Sequence, residues 1–321
     1  MGLNKKLFVQ GETGPANAAN FAPVIYTGNG SSQSVTGLNF QPDFVWIKNR
    51  STTNSHVLQD RVRGVDKRII SNSSAAQTTV TNNLTSFNSK GFSVGSAGGV
   101  NGNNNNYVAW CWKGGGPAVS NTDGARTSSV SANTAAGFSV VKWTAEGDNA
   151  IRTIGHGLGV TPSLILAKSL EHDKRWYVYT SATGTNKALR LDSDIGIGSS
   201  VSYWSVGTST FGMKDNLAST GNSDHIAYVF ANITGVQKVS AYSGNGNADG
   251  PTITTGFQPR FVLIKMYSGG FGNTDWTIFD TTRDTNLTGS DLTLFPNTTA
   301  AENDGTNVIN ILTDGFKIAS S

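Results

Sequence analysis

Two stretches of this chain hold residues in an order that nucleophilic catalysis uses. Gly91-Phe92-Ser93-Val94-Gly95 has the spacing of a nucleophile elbow, in which a sharp strand-to-helix turn presents a serine hydroxyl. His56 stands four residues before Asp60, an arrangement that could pair a base with an orienting carboxylate. Neither survives its surroundings. No helical pattern follows the serine, and the similar stretch Gly137-Phe138-Ser139-Val140-Val141 alternates like a strand. His56 occupies a repeated position that reads Trp176 and Trp276 elsewhere, while Asp60 matches Asp280 but Thr180. A position that is Trp twice is a packing site.

Metal and phosphate chemistry fare no better. His56, His156, His172 and His225 lack HxH or HxxxH spacing, and Cys111 is the only cysteine, so no zinc site and no intrachain disulfide are expected. Asp192-Ser193-Asp194 and Asn303-Asp304-Gly305 have pieces of a calcium loop without its full alternation of oxygen ligands or its closing Glu. Gly244-Asn245-Gly246 lacks the Lys-Ser ending and following helix of a phosphate loop, and it reads as a hairpin turn, as does Asn29-Gly30. No cofactor is expected.

Binding is a different matter. A ring face stacks on a sugar while amides fix its hydroxyls. Tyr203 and Trp204, in a segment (195–209) without a counterpart elsewhere in the chain, are the first candidate contact for a glycan or receptor; Asn103, Asn104 and Asn105 are the second.

The elements that would position such loops are written three times. Tyr-Thr-Gly-Asn-Gly from Tyr26, then Phe44-Val45-Trp46-Ile47-Lys48, corresponds to Trp143-Thr144-Ala145-Glu146-Gly147 with Leu164-Ile165-Leu166-Ala167-Lys168. It corresponds again to Tyr242-Ser243-Gly244-Asn245-Gly246 with Phe261-Val262-Leu263-Ile264-Lys265. Pro42, Pro162 and Pro259 precede their lysines at one constant spacing. The period is far longer than a solenoid unit, so each copy is expected to bury its own core.

Composition fits many short strands joined by turns: 38 glycines, charged residues at 14%, and apolar residues gathered into runs such as 107–112 and 226–231. The expected fold class is all-β, tandem antiparallel β-sandwich domains, three repeats with the last incomplete. Residues 1–22 read as an N-terminal arm, 23–117 as the first repeat, 118–136 as a linker opened by Gly114-Gly115-Gly116-Pro117, 137–235 as the second repeat and 236–321 as the third. Ala227-Tyr228-Val229-Phe230 aligns with the closing strand Ala109-Trp110-Cys111-Trp112, and Gly315-Phe316 with Gly91-Phe92. The third repeat shows no closing strand after Gly315-Phe316, which leaves an open edge. Either the natural chain continues, or the segment is disordered or removed, or a strand from a partner fills the gap; Leu7-Phe8-Val9-Gln10 is the candidate donor.

A formal net charge of +3, with Arg61, Arg63, Lys67 and Arg68 as the one basic cluster, does not supply the cation stripe that nucleic-acid binding needs. No run approaches the length of a membrane span, so membrane insertion is not expected.

The runs TGLNFQPDFVWIKNR, DRVRGVDKRI, LTSFNSKGFSVG and NYVAWCWKGG resemble the repeated SPRY-like or lectin-like β-sandwich of structural proteins of tailed, especially marine, bacteriophages. The resemblance covers 23–321. It implies a virion protein without an enzymatic site, assembled in the host cytoplasm and carried on the tail as a fibre or appendage for host attachment. Its implied partners are other virion proteins through the docking arm Leu7, Phe8, Val9 and Gln10, a host cell-surface glycan or protein, and further copies of itself, as a homo-oligomer such as a trimer. Two alternatives stay open: a capsid decoration or tail-scaffold protein, and a polysaccharide depolymerase, for which no paired carboxylates stand out.

Overall fold

A computed structural model describes residues 4–11, 19–148, 150–196, 203–214, 222–268, 274–285, 289, 291–305 and 307–319. The chain is all-β among these residues, with one short helix and antiparallel sheets.

After β1 (Asn4–Gly11), the first stretch holds β2 (Phe21–Thr27), β3 (Gln33–Thr36), β4 (Phe44–Asn49), β5 (Val57–Asp60), β6 (Lys67–Ile70), β7 (Thr78–Thr79), β8 (Leu84–Asn88), β9 (Gly91–Val94), helix α1 (Gly98–Asn101) and β10 (Asn106–Trp112). They form a large sheet, β2-β10-β4-β5-β6-β7, and a small one, β3-β9-β8. The second stretch holds β11 (Val119–Asn121), β12 (Ser128–Asn133), β13 (Phe138–Ala145), β14 (Ile151–Gly155), β15 (Leu164–Ser169), β16 (Tyr177–Thr180), β17 (Trp204–Val206), β18 (Thr210–Lys214) and β19 (Ser223–Phe230). Its sheets are β11-β12-β13-β19-β15-β16 and β14-β18-β17. The third holds β20 (Gln237–Ser243), β21 (Thr252–Thr254), β22 (Pro259–Ser268), β23 (Thr277–Asp280), β24 (Leu292–Thr293), β25 (Asn303–Asp304), β26 (Ile309–Leu312) and β27 (Gly315–Ile318). Here the sheets are β20-β1-β22-β23, β21-β27-β26 and the pair β24-β25.

The large sheet of the third stretch is completed by β1. Phe8 pairs with Leu263 as Trp110 pairs with Trp46 and Tyr228 with Leu166, so β1 stands where β10 and β19 stand in the other two. The place expected from the sequence to be an open edge is a gap between β20 and β22, and it is filled from the same chain. Leu7, Phe8, Val9 and Gln10, expected as an arm docked on another protein, are instead buried and hydrogen-bonded on both sides. The physical reason is their composition, because three large apolar residues in a strand leave water when the gap between β20 and β22 offers them a place with backbone partners on both sides.

Strand periodicity explains the layering. In β4, Phe44 and Trp46 point one way and Val45 and Ile47 the other; Leu164 and Leu166 oppose Ile165 and Ala167 in β15, and Phe261 and Leu263 oppose Val262 and Ile264 in β22. One face of each large sheet packs on its own small sheet, giving three separate apolar clusters. The opposite faces meet in one shared cluster that includes Phe44, Trp110, Phe138, Tyr228, Phe261 and Trp276. The expectation of independently packed modules is therefore wrong: each large sheet has two apolar faces, and the second can leave water only against the other two sheets.

Four local expectations also change. The expected linker 118–136 carries β11 and β12, which extend the second large sheet. The glycine run before it is pressed, not slack: Gly114 N–H donates to Asp43 Oδ2 at 2.8 Å, and a Cβ on Gly115 would lie 2.4 Å from Ala132 O. Asn29-Gly30 and Gly244-Asn245-Gly246 are not hairpin turns, since each carries the chain from a large sheet to a small one. Phe138 pairs with Phe230 as Phe21 pairs with Trp112, so it corresponds to Phe21 and not to Phe92.

Candidate functional site

The polar residues with the most reactive chemistry lie where the three large sheets meet. Trp46 Nε1 donates to His56 Nδ1 at 2.9 Å, which makes Nδ1 an acceptor and leaves Nε2–H to donate to Phe295 O at 3.1 Å. The imidazole is therefore neutral, and burial together with nearby Lys48 holds its pKa well below the usual range. Trp176 Nε1 donates to Ile70 O and Trp276 Nε1 to Arg190 O, each at 2.8 Å. The three corresponding rings form a cycle: first stretch to third, second to first, third to second.

Carboxylates and guanidinium groups lock two of these junctions. Asp60 Oδ2 accepts from Arg63 Nε at 2.6 Å and from the Tyr228 hydroxyl at 2.9 Å. Asp280 Oδ2 accepts from Arg283 Nε at 2.5 Å and from Trp110 Nε1 at 2.9 Å. Burial opposes the charge of each arginine, but Asp60 with the Tyr228 hydroxyl around Arg63, and Asp280 with Glu302 around Arg283, together outweigh it and raise the pKa. Glu302 bridges Arg50 at 2.7 Å and Arg283 at 2.8 Å, tying the first stretch to the third. At the remaining junction Thr180 and Thr183 replace the ion pair, with hydroxyls 3.1 Å apart.

Lys48 and Lys168, next to last in β4 and β15, and Lys265, within β22, are buried, and desolvation lowers each pKa to about 8. Their ammonium groups donate to backbone carbonyls: Lys48 to Asn54 and Thr299, Lys168 to Ser169 and His172, Lys265 to Asp194 and Thr274. Asp60, Asp280, His56 and these lysines are thus occupied in joining strands and loops. The basic cluster is likewise dispersed, with Arg61 on Asp43, Arg63 on Asp60, and Lys67 on Asp66. Among the described residues no group of three or more His, Cys, Asp or Glu is arranged to hold a metal ion.

The glycan candidates separate into core and surface. Trp204 is 3% exposed and packs in the second stretch's own cluster with Phe211 and Met213, so it cannot offer a ring face to a sugar. Tyr203 is half-buried, its ring 6.4 Å from that of Tyr177. Asn103 and Asn104 are exposed and Asn105 half-buried, on a loop fastened by Asn104 N–H to Gly28 O and by Gly28 N–H to Asn105 O. Among the described residues no hydrogen bond or ring contact joins that loop to Tyr203.

A surface that the sequence reading did not identify is the groove between the first two stretches, about 440 Å³ and lined by Asn20, Gln41, Asp43, Arg61, Lys113 and Asn133 among others. Its groups are held in place: Arg61 Nη1 donates to Asp43 Oδ1 at 2.8 Å, Gln41 Nε2 to Phe87 O at 2.6 Å, and Asn133 Nδ2 to Asn20 Oδ1 at 2.8 Å. Fixed amides beside a partly exposed guanidinium suit a ligand rich in hydroxyl or carboxylate groups. Asn20 and Asn133 are far apart in sequence, so only the fold brings them together. Among the described residues no helix is long and apolar enough to cross a membrane.

A family model described as a domain of unknown function, DUF7483, matches residues 16–321, and the chain belongs to that family. No curated protein and no solved structure matches it.

Proposed function

We propose that this chain is a structural protein of a tailed-bacteriophage virion, a tail fibre or tail appendage that takes part in attachment to the host surface. In this reading the three stretches are tandem β-sandwich repeats, the third completed by the N-terminal strand. The observation that carries it is the use of the ionisable side chains. Asp60, Asp280, Arg63, Arg283, Glu302, Lys48 and Lys265 join one stretch to another, and Lys168 ties a loop within the second, while amides line the outer groove. A stiff body that spends its charges on internal joints and shows hydroxyl-binding amides outside is suited to holding and presenting loops. Weak contacts at each copy then gain strength from copy number.

Antibody-gold labelling of intact particles tests the placement: gold on the tail is expected, and gold on the head shell would favour a capsid decoration protein. Purified chain is expected to compete with particles for adsorption to host cells without shortening the surface glycan. Glycan cleavage would replace the attachment reading with a depolymerase.

A further inference from the structure

The third large sheet depends on a strand that is not its neighbour in sequence. β20 and β22 each bond to β1 and not to each other, so without β1 they would face one another across two strand spacings, roughly 10 Å. That slot is chemically selective. Leu7 and Val9 enter the cluster shared with Phe279 and Phe316. Phe8 enters the central core, its ring 4.6 Å from Phe230 and 6.0 Å from Phe261. Gln10 Nε2 donates to Gln237 Oε1 at 2.5 Å, at a position where the other two large sheets pair Phe21 with Trp112 and Phe138 with Phe230. The amide pair fixes register, because a slip of one residue would turn Gln10 away from Gln237 and send Phe8 to the opposite face.

We propose that this slot is a strand-acceptor site whose partner is the N-terminal segment of a second copy of the chain, exchanged for the strand supplied in cis. β1 is joined to β2 through residues 12–20, and an exchanged strand would make the same backbone pairs and side-chain contacts. Closed and exchanged forms therefore differ little beyond the tether, and copy concentration decides between them. The interaction is β-augmentation, with main-chain bonds supplying affinity and the Leu7, Phe8, Val9 and Gln10 pockets supplying specificity. It does not rest on the virion reading.

The test uses the full chain with a protease site placed within 12–18 and cut after folding, together with a fluorescent synthetic peptide of residues 2–12. On passage through mild denaturant the cut chain is expected to release its own strand and take up the peptide one to one. A Phe8→Asp peptide is expected to bind at least tenfold more weakly. Uncut chain refolded at high protein concentration is expected to give dimers, with heavy and light isotope copies mixing, and excess peptide present during refolding is expected to suppress them. A cut chain that never takes up peptide, dimers indifferent to peptide, or monomers at every concentration would each overturn the proposal.

Discussion

At the scale of single residues, burial converts reactive side chains into structural ones, and that conversion predicts a pH dependence. Lys48, Lys168 and Lys265 have pKa values lowered by burial from 10.5 to about 8. Below about pH 8 they are charged in both the folded and unfolded chain. Between about 8 and 10.5 the unfolded chain binds more protons, so stability rises with pH across that window. Tyr26 and Tyr228 act in the opposite sense at higher pH, because burial raises their pKa well above 10.0 and the unfolded chain then loses protons first. Urea midpoints are expected to climb from about pH 7.5 to about 9.5 and to fall beyond about pH 10.5, with Lys168→Met flattening the climb. Asp60→Ala strands the buried Arg63 and removes the acceptor for the Tyr228 hydroxyl, so a loss of about 3–5 kcal/mol is expected in the same denaturation assay. The packing role of His56 was legible because Trp176 and Trp276 share its position. The burial of Trp204 was not, because a Tyr-Trp pair flanked by polar residues reads the same on a loop as at the start of a strand.

At the scale of elements, matched strands place matched glycines. Gly91 pairs with Thr36 and Gly315 with Thr254, at φ 154° and 156°. A Cβ at either would lie 2.0 Å from the carbonyl oxygen of Val35 or Ile253, and a backbone atom cannot yield as a side chain can. Gly91→Ala and Gly315→Ala are each expected to cost about 1–3 kcal/mol, read as a lower thermal midpoint, whereas Gly116→Ala meets no neighbouring atom and tests backbone strain alone. Strands were legible from their apolar runs; turns were less so. Asn29-Gly30 carries a hairpin signature, yet β2 and β3 belong to different sheets, because a two-layer arrangement sends the chain across the layers where a single sheet would fold it back.

At the scale of the whole molecule, three sheets close on one another around aromatic residues drawn from all three stretches. Each depends on the other two to cover Phe44, Tyr228 or Phe261, so the chain is expected to unfold in one transition. Calorimetry is the check: a calorimetric enthalpy equal to the van't Hoff value agrees, and three resolved transitions would restore separate modules. The same dependence predicts that residues 23–117 expressed alone do not fold cooperatively, since Trp46, Trp110 and Trp112 would face water. A hint of this was present in the sequence. Phe44-Val45-Trp46-Ile47, Leu164-Ile165-Leu166-Ala167 and Phe261-Val262-Leu263-Ile264 lack polar alternation, as strands covered on both faces do.

The amino-acid sequence alone determined the all-β class, the apolar strands, the matched landmarks and the candidacy of Leu7 to Gln10 as a missing strand, because each of these follows from local periodicity and composition. Tertiary structure decided the rest: the shared core, the ion pairs that bridge distant stretches, the groove at Asn20 and Asn133, and the return of β1 to the third sheet. Those features depend on which buried face meets which, and contacts between residues hundreds of positions apart leave no periodic trace along a single chain.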